Sequence, residues 1–296
     1  MREFKVSNLK NNKTIVSYIM EYFPNLSYSM LRKSLRNKDI KLNGQRISTD
    51  SPIKSGDIVE IYINDSILFG LPKELTTIYE DENIIIAFKP QGLLSNSIES
   101  SNTEVTFEDF VKEEKGDVKI CHRLDRNTSG LLIFAKNDSS YKEILQAFKN
   151  GTITKEYIAY VDGTSFQKEH EILKNYIIKN SATGFSKVVT TPVTNSQEII
   201  TEIKVLDKNT DKNFSMLSVK IHTGKTHQIR AQLSAISHPI IGDPKYGKNE
   251  INKKFKIYKQ LLFAVKYSFN FESDSSLAYL NKDSYFLNDD LYINKL

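Results

Sequence analysis

The spacing of apolar residues changes several times along the chain, and each change marks an element. Ile15, Ile19 and Phe23 recur every four residues, as one face of a helix does. Thr14 is placed to cap that helix and Pro24 to end it. Ser27 is the expected cap of a second helix, with Leu31 and Leu35 facing inward and Arg32, Lys33 and Arg36 outward. Ile40, Lys41 and Leu42, a turn at Asn43 and Gly44, and then Arg46 and Ile47 read as a hairpin. Another turn at Ser55, Gly56 and Asp57 leads into alternation from Ile58 to Ile63, a closing strand. Residues 1–10 read as a short strand or arm.

Residues 64–75, with Asn64, Asp65, Gly70 and Pro72, read as a linker. Ile84 to Phe88 is a continuous apolar run, hence a buried strand, and Lys89, Pro90, Gln91 and Gly92 form the turn after it. Residues 97–105 read as loop and 107–112 as a short helix. Leu131 to Ala135 is a second buried strand. Asp138 to Asn150 follows as a helix with Tyr141, Leu145 and Phe148 on one side, stopped at Gly151. Alternation predicts strands over 154–163 and 217–222, and residues 171–215 read as strands and polar loops. Residues 283–296 read as a terminal strand or tail. Runs of strands mixed with separate helices indicate an α+β chain.

Composition fits a folded chain: of 296 residues, 39% are hydrophobic and 26% charged. That length accommodates a small domain beside a large one. The net charge of +5 permits a polyanionic partner. It is concentrated locally, since Arg32, Lys33, Arg36, Lys38, Lys41 and Arg46 stand against Asp39 alone, on one helix and the adjoining hairpin. Such a run is commonly a solvated face, but here it also suits backbone phosphates. A single cysteine, Cys121, allows no intrachain disulfide and fits a reducing cytoplasm. No apolar run has the length of a membrane span, and the first residues do not form a secretory signal.

The stretch from Cys121 to Gly130 carries the candidate chemistry. Asp125 sits between Arg123 and Arg126 on a loop that enters the buried strand at 131–135. Loops fixed to a rigid strand commonly carry catalytic groups. Two other patterns fail. Gly224, Lys225 and Thr226 end like a phosphate-binding P-loop, but Val219 stands where that loop needs glycine. His222, His227 and His238 lack metal-ligand spacing, so no metal is expected.

His122, Arg123, Leu124 and Asp125, with Thr128, Ser129 and Gly130, resemble the central motif of the large-subunit (RluA) type of RNA pseudouridine synthases. Three further stretches resemble that family in order. They are Lys89–Gly92 after its strand, Lys155, Tyr157, Ala159, Val161 and Gly163, and Thr223–Arg230 followed by Gly242, Asp243, Tyr246 and Gly247. Lys225 replaces an Arg of the family pattern, Gln232 stands where His is common, and Phe263 occupies a frequent His position. Residues 12–63 are similar to the RNA-binding domain first known in ribosomal protein S-four.

The resemblance implies an RNA-binding domain over 1–66, a linker over 67–77 and a catalytic domain over 78–296. The catalytic domain would have a mixed, mainly antiparallel sheet with flanking helices. It implies Asp125 as the catalytic carboxylate, Arg230 as its ion-pair partner and Tyr157 as the ring that stacks on the target uracil. Arg123 would fill the gap left in the RNA, with His122, Arg126, Lys225 and His227 as further RNA contacts. In the first domain, Arg32, Lys33, Arg36 and Lys41 would meet phosphates. The reaction moves the ribose from N1 to C5 of uracil, so it needs no cofactor. The expected partner is ribosomal RNA of the large subunit, with transfer RNA as the second expectation. The protein is expected to be a cytoplasmic monomer. Two rivals stand beside this reading. One is an inactive RNA-binding ribosome-assembly factor. The other is a glycoside hydrolase, which would need a second carboxylate such as Asp243.

Overall fold

The computed structural model of the chain describes residues 2–6, 13–23, 26, 28–63, 68, 72, 74–97, 105–180 and 184–292. Ser27, Pro24, most of the expected linker, most of the loop at 97–105 and the last four residues lie outside them. The chain divides into two compact units, Met1–Glu74 and Leu75–Leu296.

The first unit holds β1 (Arg2–Lys5), α1 (Ile15–Tyr22), α2 (Tyr28–Arg36), β2 (Ile40–Leu42), β3 (Gln45–Ile47) and β4 (Ile58–Ile61). Its strands pair antiparallel in the order β1-β4-β2-β3. Thr14 caps α1 through a reciprocal capping box with Ser17. Ile15, Ile19 and Phe23 are buried with Leu31, Leu35 and Ile40 in one core. The β2–β3 turn takes positive φ at both Asn43 and Gly44, the geometry an Asn-Gly pair adopts in tight hairpins.

The second unit is built on an eleven-stranded sheet. Its main path runs β11 (Ser186–Val189), β10 (His170–Lys179), β12 (Gln197–Asn209), β13 (Phe214–Ile221), β9 (Ile153–Asp162), β14 (Leu262–Phe269), β8 (Ser129–Ala135), β6 (Ile84–Lys89) and β5 (Thr77–Glu80). β7 (Lys119–Ile120) pairs with β8, and β15 (Ser284–Phe286) with β14. Only the β14–β8 pairing is parallel among the described strands, so the sheet is mixed but mainly antiparallel. Helices α3 (Phe107–Lys115), α4 (Asp138–Asn150), α5 (Gln228–Ala235) and α6 (Asn249–Phe255) flank it. Every residue of β8 is buried, as its unbroken apolar run requires.

The bounds predicted for α4 hold, with Gly151 at φ 71 as its left-handed stop. Its buried face differs from the expected one. Ile144 and Ala147 enter the core with Tyr141 and Phe148 beside them, and Leu145 stays 40% exposed. The face is centred on Ile144, and Leu145 lies one residue round the helix from it.

Candidate active site

The loop 121–128 joins β7 to β8 without regular structure, and bonds on several sides hold it still. Lys89, fully buried, donates from Nζ to the carbonyls of Pro90 at 3.0 Å, Leu93 at 2.9 Å and Arg126 at 3.1 Å. Three carbonyls match the three protons of an ammonium. Burial pulls the pKa of Lys89 down to about 7, and the Asp125 charge opposes that pull. Ser95 Oγ accepts from the Leu124 amide at 3.0 Å and donates to its carbonyl at 2.8 Å. Gly92 donates to the Arg126 carbonyl at 2.9 Å, and Gln260 Nε2 to Thr128 Oγ1 at 2.6 Å. Asp125 therefore projects from a backbone fixed by the 89–95 turn on one side and by Gln260 on the other.

The carboxylate of Asp125 meets a guanidinium that is already anchored. Arg230 lies in the first turn of α5, and its side chain is 7% exposed. Its Nε donates to Asp243 Oδ2 at 2.7 Å and its Nη2 to Asp243 Oδ1 at 2.9 Å, a two-point fork. Nη1 remains, and it donates to Asp125 Oδ2 at 2.8 Å. Burial disfavours the guanidinium charge, but the Asp243 carboxylate and then Asp125 hold its pKa above the ordinary value. Asp243 has no exposed surface. Burial would raise its pKa, yet the bonds from Arg230 win and hold it below the usual carboxylate range.

His227 opens α5 with a left-handed backbone, φ 59. Its Nδ1 lies 2.9 Å from the Tyr246 hydroxyl and its Nε2 3.9 Å from Asp125 Oδ2. The Tyr246 ring lies under the Arg230 guanidinium at 5.1 Å. Tyr157 projects from β9 between Val219 of β13 and Ala264 of β14, and is 6% exposed. Burial, with help from the Asp125 charge, pushes its phenol above the ordinary range, so the hydroxyl keeps its proton at neutral pH.

His122, Arg123, Asp125, Arg126, Tyr157, Lys225, His227 and Arg230 all line one cavity of about 610 Å³. Asp125 is the single carboxylate in its lining among the described residues. Lys155, Lys179 and Lys245 add to the cations singled out from the sequence. Arg123 and Lys225 are exposed at the cavity. Arg126 is turned back on the loop, its Nη1 donating to the Gly92 carbonyl at 3.2 Å. His122 forms part of the wall. Its Nε2 accepts from the Ile133 amide at 3.2 Å and its ring packs on Phe148 and Tyr267. Burial lowers its pKa to about 3, so it is neutral there.

In the first unit Arg32, Lys33 and Arg36 are exposed on α2. Lys41 pairs with Glu60 at 3.5 Å and lies over the Tyr62 ring, so its charge is partly engaged. The sequence marks Asp243 only as a distant acid and does not mark Tyr246 or Ser95 as contacts. Asp243, Tyr246 and Gly247 stood in the matched pattern, which was the available signal. Ser95 had none, because its role depends on a loop 29 residues away. No group of three or more His, Cys, Asp or Glu side chains among the described residues is arranged to hold a metal ion. None of the described helices is long and apolar enough to cross a membrane.

A family model described as RNA pseudouridylate synthase matches residues 83–235, the span that holds Asp125, Tyr157 and Arg230. A ribosomal large subunit pseudouridine synthase C from Rickettsia felis is 32% identical over 255 residues, 79% of this chain and 81% of that protein. An RNA pseudouridine synthase from Mycoplasma capricolum is 31% identical over 300 residues, 95% of each. Among solved structures, human RNA pseudouridylate synthase domain containing 1 aligns with a TM-score of 0.58 at 23% identity. It covers 68% of this chain and 81% of that one, a likeness of fold. The chain belongs to the RNA pseudouridylate synthase family and is an RNA pseudouridine synthase, an isomerase that converts uridine in RNA to pseudouridine.

Proposed function

We propose that Asp125 is the carboxylate that carries this reaction and that the substrate is large-subunit ribosomal RNA. The observation that supports the first half is the fork from Arg230 to Asp243. It leaves one guanidinium nitrogen to aim Asp125, the only carboxylate in the cavity among the described residues. A uridine must leave its stack to reach Asp125, and Arg123, exposed at the cavity, would fill the gap it leaves. Asp125 takes a proton from the ribose carbon next to C1′, the bond from C1′ to N1 breaks, and the freed uracil turns on the Tyr157 ring. Asp125 returns its proton to that ribose carbon as C5 bonds to C1′, and the C5 proton then leaves while N1 gains one, so no atoms are gained or lost overall. Stacking on Tyr157 is worth about 1–3 kcal/mol. The Tyr157 hydroxyl keeps its proton, so it serves as a donor to the turning base and not as a phenolate base.

The printed names of the bacterial relatives support ribosomal RNA as the substrate. The first unit is read as an RNA-binding domain like that of ribosomal protein S-four, with Arg32, Lys33 and Arg36 meeting phosphates. The protein works as a monomer in the cytoplasm and without a cofactor. The glycoside hydrolase reading is disfavoured, because Asp243 faces Arg230 in the interior and not the cavity.

The test is pseudouridine mapping by carbodiimide-based sequencing of total RNA from cells with the gene, without it, and complemented with Asp125→Asn. Signals lost from large-subunit ribosomal RNA and not restored by the variant are expected. Loss confined to transfer RNA would overturn the substrate, and full restoration by Asp125→Asn would overturn the role of Asp125.

A further inference from the structure

Beside the Asp125 cavity lies a second one of about 300 Å³, and the two share Lys155, Ile221, Gly224 and Lys225. Lys149, Lys155, Lys220, Lys225 and His222 line it and no Asp or Glu among the described residues does; His222 and Lys220 face Glu202 on the other side of the sheet, which leaves Lys149, Lys155 and Lys225 as the cations for an anion. We propose that this cavity is a phosphate subsite, in which Lys155 and the lysines around it bind a backbone phosphate flanking the target uridine. The proposal rests on the reading that the Asp125 cavity receives that uridine.

Lys155 is the residue that links the two cavities. It precedes Tyr157 by two positions on β9, so both side chains rise from the same face of the sheet. The Cα atoms of such a pair stand roughly 7 Å apart, close enough for one nucleotide to span them. Lys155 is half-buried and makes no ion pair among the described residues. Glu156, its neighbour, turns the other way to Lys266 at 3.0 Å. A cation drawn out of water without a carboxylate is costly, and the cost is relieved when an anion arrives. Burial accordingly lowers the Lys155 pKa.

The chemistry favours phosphate over a base. Phe148 is the one Phe or Tyr in the lining among the described residues, and the Lys155 ammonium already lies over its ring at 4.9 Å. A base has no open phenyl face to stack on, whereas a phosphate meets ammonium groups from several directions.

The test uses a short RNA with a central uridine, made in versions that each carry one neutral methylphosphonate in place of a phosphate. Binding is measured with the full-length wild-type enzyme, Lys155→Met and Lys155→Arg, with thermal melting as the folding control. One linkage beside the uridine is expected to cost wild type and Lys155→Arg about tenfold in affinity when neutralised, and to cost Lys155→Met nothing further. The salt slope of Lys155→Met should fall by about 0.7. If the methylphosphonate series gives the same profile in wild type and Lys155→Met, the proposal is wrong. Should Lys155→Met melt early, Lys225→Met, which is exposed where the two cavities meet, is read in the same way. Asp125→Asn assayed on extracted RNA separates this proposal from the reading it rests on: pseudouridine formation at the wild-type rate would overturn the reading of the Asp125 cavity, whatever the methylphosphonate profile.

Discussion

Arg230 is a cation in the first turn of a helix, where the backbone dipole disfavours it, and it is nearly buried as well. Asp243 offsets both costs and in doing so fixes the guanidinium plane. Asp243→Asn should therefore destabilise the fold by about 3 kcal/mol, because the buried guanidinium loses its two-point partner and keeps only the single bond to Asp125. Urea unfolding measures it, and turnover should fall in whatever enzyme remains folded, since Nη1 is no longer aimed. His122 gives a pH dependence of definite sign. Its pKa is ordinarily 6.5 and is about 3 when folded, so between those values the unfolded chain binds the proton and the folded chain does not. Stability should fall as pH drops from 6.5 toward 3, by about 1.4 kcal/mol per unit at most, and level off below. His122→Phe should flatten that part of the profile in unfolding measured across pH. Asp243 adds its own loss lower down: its depressed pKa means its contribution is present above the ordinary carboxylate range and disappears as pH falls beneath it.

The loop carrying Asp125 enters β8 at Gly130, which sits at φ +127 against β14. A Cβ there would stand 2.2 Å from the Ala264 carbonyl oxygen, and that neighbour is backbone. Gly130→Ala should cost about 2–4 kcal/mol by urea unfolding and lower activity, because the β14–β8 pairing is what spaces the loop. The Ser129–Gly130 pair was legible as part of a motif, but the reason for the glycine was not, since Ala264 lies far along the chain. Elements set by local rules were legible: Thr14 capping α1, the Asn43–Gly44 turn, the apolar run of β8 and the Gly151 stop. Asp125, Arg230 and Tyr157 were legible as a set, and they do line one cavity. What escaped depends on tertiary pairing. Asp243 reads as a distant acid until α5 brings Arg230 to it, and Lys155 stands only as one position of the matched stretch until the fold sets its ammonium over Phe148. Spacing sets Leu145 on one side with Tyr141 and Phe148, but the helix is turned so that Ile144 takes the buried position.

Across the whole molecule the excess of positive charge is modest, so its placement matters more than its sum. The first unit carries exposed Arg32, Lys33 and Arg36 on α2, and the second carries the cations around Asp125. Replacing Arg32, Lys33 and Arg36 together by Ala should weaken RNA binding at low salt. It should also reduce the slope of log affinity against log salt by about 0.7 for each single-strand phosphate that is no longer neutralised. Turnover at saturating RNA should stay near wild type. Lys41→Ala should change binding less, because Glu60 already holds that charge. The central claim is that one carboxylate performs the isomerisation. The most direct measurement is tritium release from RNA labelled at C5 of uridine, by wild type and Asp125→Asn, with RNA affinity measured for both. The account predicts release by wild type, a fall of about 10³-fold or more in the variant, and affinities that agree within a few-fold. Release by Asp125→Asn at the wild-type rate would contradict it.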